Sequence, residues 1–149
     1  MKLLKLYELF TGKMTDFLSQ FQNNESLYQQ ARVFWNKLEG ISTILLIIFF
    51  VVGIALAFFY YKPYNNRPGR HFTPAHWLFF FLITFLAGFA VTYGIEYFMV
   101  PPRLNGAWKI EFMIALGNAI YASIVYLIVS IIWCNANALP TNAYRLFKF

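Results

Sequence analysis

One carboxylate in this chain stands where a carboxylate is expensive. Glu96 is the single charge in the otherwise uncharged apolar run from Trp77 to Val100. A charged acid at the centre of a membrane helix costs roughly 2.5–3.5 kcal/mol on insertion scales, so it calls for a partner or a task. Val100 closes the run four residues later, about 6 Å along a helix. Entering from the same side, Asn118 stands six residues into the run Phe112–Trp133, about 9 Å deep. The spacing predicts that Glu96 and Asn118 meet. Arg103 and Lys109, in the connection between the two runs, are the bases that reach down to pair with Glu96, and Glu111 competes for them. A Glu96–Asn118 hydrogen bond or a Glu96–Arg103 ion pair would hold helices together. If the acid handles protons or cations instead, Glu96, Asn118 and Tyr121 are the groups to line the path, with Tyr93 and Tyr97 flanking.

Other chemistry has little to stand on. His71 and His76 are five apart across Thr73-Pro74, which is not the spacing of a helical metal pair, and no third ligand accompanies them. No metal and no cofactor are expected. Cys134 is the single cysteine, which rules out an intrachain disulfide. Ser42, Ser123 and Ser130 lie in apolar runs without a nearby His, and no Gly-x-Ser-x-Gly, P-loop or HExxH pattern occurs. The chain reads as non-enzymatic. Asn24-Glu25-Ser26 matches a glycosylation acceptor, relevant only if that segment faces a secretory lumen.

The elements that position these residues are three apolar runs, 40–61, 77–100 and 112–133. At about 1.5 Å per residue each can cross a hydrocarbon core about 30 Å thick, and in lipid such runs satisfy their backbone only as helices. Composition agrees: 60% of the 149 residues are hydrophobic and 12% charged, more apolar surface than a soluble core of this size absorbs. Trp35, Trp77, Trp108 and Trp133 fall at or near the ends of the runs, with Tyr60, Tyr61, Tyr97 and Tyr144, as an interfacial aromatic belt would. The net charge of +6 comes from bases that flank apolar runs, which points to lipid headgroups and away from nucleic acid. The fold class expected is an all-α integral membrane protein with three transmembrane helices preceded by an N-terminal amphipathic helix.

Residues 1–39 form an arm. Leu3, Tyr7, Phe10, Met14, Phe17 and Phe21 recur at helical spacing, and the register resumes at Tyr28, Ala31, Trp35 and Leu38. Thr11-Gly12 and Asn23-Asn24 are the weak points. The stripe predicts a docking arm, laid in the membrane interface or against a partner helix. The membrane region runs from 40 to 134, and 135–149 is a short Asn-rich polar tail. Small residues recur four apart in each span: Gly53 and Ala57; Thr84, Gly88 and Thr92, with Ala90 and Gly94; Ala115, Ala119 and Ser123. Such stripes let backbones approach, so a packed bundle is expected.

Two functions fit. The first is an anchor or assembly subunit of a larger membrane or envelope complex, associating with other membrane subunits or with itself. The alternative is a homo-oligomeric pore or small transporter using Glu96. The expected location is an inner membrane, bacterial or organellar, with a cytoplasmic N terminus.

Overall fold

The computed structural model describes residues 3–65, 74–101, 104 and 106–136. Among them every regular element is helical. A 3₁₀ turn at Leu3–Leu6 leads to α1 (Glu8–Thr11), α2 (Met14–Ser19), α3 (Glu25–Phe59), a π-helical turn (Tyr60–Tyr64), α4 (Pro74–Met99) and α5 (Ala107–Asn135). Three of these helices are long and apolar enough to cross a membrane.

The arm is not one helix. It breaks at Gly12, whose φ of +73° is a conformation that favours glycine, and again ahead of α3. There Asn24 caps the helix, its side-chain carbonyl accepting the Leu27 amide at 3.3 Å. The first long helix then starts at Glu25, not at position 40. Its 35 residues amount to about 52 Å, well beyond a hydrocarbon core. The charged stretch 25–39 is helical because nothing in it breaks a helix and its apolar residues stay in register. Ala31, Phe34, Trp35, Leu38, Ile41 and Leu45 are all buried.

The chain forms two compact units, to which α3, α4 and α5 each contribute. One comprises Met1–Ile47 with Phe89–Asn118, the other Ile48–Gly88 with Ala119–Phe149. In the first, α2 lies on α3 through Phe17, whose ring centroid is 6.0 Å from Phe34 and 5.7 Å from Trp35. Phe10 of α1 fills the space left by the missing side chain of Gly117, where a Cβ would meet its ring at 3.0 Å. Lys37 donates to the Pro101 carbonyl near the end of α4.

The second unit is built on aromatic side chains. Tyr60, Tyr61, Trp77, Phe80 and Tyr126 are buried together with Ala57 and Cys134. The Tyr61 and Trp133 rings stack with centroids 5.6 Å apart. Pro63 has no amide to donate, and the chain widens there into a π turn closed by the Asn65 amide on the Tyr60 carbonyl. Hydroxyls in this unit are turned inward to backbone or neighbours: Thr84 to the Phe80 carbonyl at 2.8 Å and Ser123 to the Ala119 carbonyl at 2.9 Å, while Trp77 donates to Ser130 at 3.2 Å.

The small residues Gly53, Ala57, Thr84, Gly88, Thr92, Ala115, Ala119 and Ser123 are all buried within the chain. Gly53 is the tightest: a Cβ there would stand 2.7 Å from the Ala122 carbonyl oxygen and 2.8 Å from Val125. Gly53→Ala is therefore expected to lower stability in detergent by about 1–3 kcal/mol through overpacking. Gly94→Ala, where a Cβ meets nothing within 4 Å, is expected to be neutral or stabilising by up to about 1 kcal/mol. Thermal unfolding of the two purified variants compares them directly.

Candidate functional site

The first unit buries a group of polar side chains that a helix bundle in lipid has to satisfy internally. Asn118 on α5 is at its centre and fully buried. Its carbonyl oxygen accepts the Tyr7 hydroxyl at 2.5 Å. Its amide donates to the Leu45 carbonyl of α3 at 2.9 Å and to the Thr92 hydroxyl of α4 at 2.8 Å. One side chain thus ties the N-terminal arm, α3 and α4 to α5.

Glu96 is one turn along α4 from Thr92. The expected Glu96–Asn118 hydrogen bond is not made, because the Asn118 carbonyl is taken by Tyr7 and its amide by Leu45 and Thr92. Glu96 is nonetheless fully buried, and neither carboxylate oxygen has a hydrogen-bond partner among the described residues. Glu111 on α5 is buried as well. Taking the bonded Thr92–Asn118 pair as origin, one turn towards the α4–α5 connection brings Glu96 on α4 opposite Ile114 and Ala115, and Glu111 is a further turn along the same face of α5.

The other groups singled out from the sequence are elsewhere. Lys109 is exposed, with its ammonium 5.9 Å from the Trp108 ring centroid, and does not bond Glu96. Arg103 lies outside the described residues. Tyr121 belongs to the other unit, where its ring sits 5.5 Å from that of Phe49. Of the docking stripe, Tyr7 and Phe17 are buried in this chain, while Phe10, Met14 and Phe21 are half-buried; the side chain of Leu3 lies outside what is described. His76 packs edge-on to Tyr64, and His71 is outside the described residues. Cys134 is buried, its sulfur 3.6 Å from the Tyr61 hydroxyl.

A cleft of about 190 Å³ opens beside the arm, lined by Phe10, Phe17, Ile110 and Met113 with Asp16 and Lys109. Glu96 and Glu111 do not line it. No group of three or more His, Cys, Asp or Glu able to hold a metal occurs among the described residues.

One residue was misplaced in the sequence and one was undervalued. Glu111 reads as part of the connection while the third run is begun at Phe112, but α5 starts at Ala107, which puts Glu111 in the helix seven residues before Asn118 and on its face. Thr92 reads as a small packing residue, and its hydroxyl was the overlooked signal. Comparison with family models, curated proteins and solved structures gives no match.

The Asn118 network makes a coupling measurable. Interhelical hydrogen bonds in membrane proteins average about 0.6 kcal/mol and reach about 1.7. Tyr7→Phe is expected to cost about that much, and Asn118→Leu more, since it leaves Tyr7, Thr92 and the Leu45 carbonyl without this partner. In the double variant the Tyr7 effect should vanish. Limited proteolysis at the exposed Lys13 should quicken in both single variants as the arm loosens.

Proposed function

We propose that the chain is a non-enzymatic membrane subunit, an anchor or assembly component of a larger membrane or envelope complex of the secretion, injection or respiratory kind. The observation that carries this reading is the outward face of α4. Leu78, Phe79, Leu82, Leu86 and Phe98 are all exposed, and only 22% of the most apolar window of that helix is buried. An apolar face of this extent is covered by lipid or by other helices. Ala90 is exposed on the same helix, and beyond Gly94 there is open space, so a neighbouring backbone can come close.

The arm supports the same reading as an amphipathic interfacial element. Leu9 is 85% exposed between the exposed Lys5 and Lys13, a pattern suited to headgroup depth. The setting we propose is an inner membrane, bacterial or organellar, with the N terminus cytoplasmic. With three spans the arm and the second connection share a side, and over their whole length they carry seven bases against five on the other, whereas within about 20 residues of a span the count is four against five. A homo-oligomeric pore or small transporter is the second reading, favoured by Glu96.

Mild-detergent affinity purification from native membranes, followed by native mass measurement, tests the subunit reading. Stoichiometric foreign subunits are expected, and their recovery should fall at least about tenfold in Gly94→Phe. A homogeneous self-oligomer would overturn the reading in favour of the pore.

A further inference from the structure

We propose that the cleft beside the arm binds one phospholipid with a primary-amine headgroup, of the phosphatidylethanolamine class. Resting on the membrane setting proposed above, the site adds the lipid class that the arm selects.

The cleft lies within the first unit, between the arm and the first turns of α5. Its walls are apolar, with Phe10 and Phe17 from the arm and Ile110 and Met113 from α5. One acid and one base, Asp16 and Lys109, line it as well, with no ion pair between them. The Asp16 carboxylate accepts the Thr15 hydroxyl at 3.3 Å, and the Lys109 ammonium is 5.9 Å from the Trp108 ring centroid. Both side chains are exposed. At about 190 Å³ the cleft is too small for a helix about 10 Å across, but it admits a headgroup.

The start of α5 calls for an anion. A helix N terminus carries partial positive charge and favours acids, yet the first turn of α5 holds none. Lys109, its third residue, adds a further positive charge. The first acid along the helix, Glu111, does not line the cleft. A phosphate beside Lys109 offsets both charges. Lys109 and Met113 are four apart and so share a face of α5, with Met113 one turn further into the span. A charge at the helix end and an apolar side chain one turn deeper follow the order of a lipid's phosphate and acyl chains. The exposed Trp108 suits the same depth.

Asp16 discriminates among lipids. A primary ammonium has three donors to offer a carboxylate. A trimethylammonium group has none, and an anionic headgroup such as phosphatidylglycerol meets Asp16 with like charge. Phosphatidylethanolamine alone of the three presents a phosphate to Lys109 and a hydrogen-bonding cation to Asp16.

The full chain, purified from native membranes with whatever accompanies it, is placed in nanodiscs of equimolar phosphatidylethanolamine, phosphatidylcholine and phosphatidylglycerol of one acyl composition. Native mass spectrometry then counts the lipid each released protein retains. Phosphatidylethanolamine should be retained at least about threefold over the other two. In Asp16→Asn its advantage over phosphatidylcholine should disappear. Lys109→Gln should weaken retention of all three by at least about threefold. Equal retention of the three lipids, stronger retention of phosphatidylglycerol, or a preference that survives Asp16→Asn overturns the proposal. Foreign subunits are counted in the same spectra. Their presence without lipid selectivity defeats the lipid site alone, and their absence with selectivity intact defeats the subunit reading alone.

Discussion

A buried amide has to place the hydrogen bonds it can make, and Asn118 does so by drawing three other segments to itself. Water is not there to take up a stray donor, so the partner positions become geometric requirements on the chain. The Tyr7 hydroxyl must come down onto α5, which brings the arm with it. Gly117 makes that approach feasible, because Phe10 occupies the volume a side chain would need. Thr92 must face α5, which sets the rotation of α4 in the first unit. The Leu45 carbonyl does the same for α3. Each bond is modest by itself. Their joint effect is specificity, since an apolar residue at 118 would pack equally well against many rotations of its neighbours.

The second unit reaches order by another route. Its core is filled by the bodies of aromatic rings, and two of their polar atoms find near partners, Trp77 to Ser130 and Tyr61 to Cys134. Large planar groups in stacked and edge-on pairs restrict rotation by shape. The π turn at Tyr60–Tyr64 belongs to this scheme. Tyr60 and Tyr61, which open it, are both buried.

Three long apolar helices were legible because hydropathy and length alone determine them. Where they begin was less so. Residues 25–39 are polar enough to look like a separate arm, yet helix formation needs only the absence of breakers and one buried stripe, and both persist through Trp35 and Leu38. The docking stripe was visible as Tyr7, Phe10 and Phe17, but periodicity reports that a face is buried and not what buries it; for Tyr7 and Phe17 the chain's own residues do. The Glu96–Asn118 pairing failed for a related reason. A backbone carbonyl such as that of Leu45 is an acceptor at every position and leaves no mark in the residue types. An arm tyrosine more than a hundred residues away in sequence was likewise invisible as a competitor for Asn118. Glu111 was hidden by a boundary error of a few residues.

The contrast within one turn of α4 is what gives Glu96 its meaning. Thr92 is polar and bonded; Glu96, four residues on and equally buried, is polar and without a hydrogen-bond partner among the described residues. If the acid served packing alone, a leucine or methionine of similar volume would fill the space without a desolvation penalty. If it served to hold helices together by hydrogen bonding, a donor would stand opposite it, and the register of α5 places Ile114 and Ala115 there instead. Structural economy therefore argues against an acid at this position, and a buried carboxylate in a span points to a task rather than to packing.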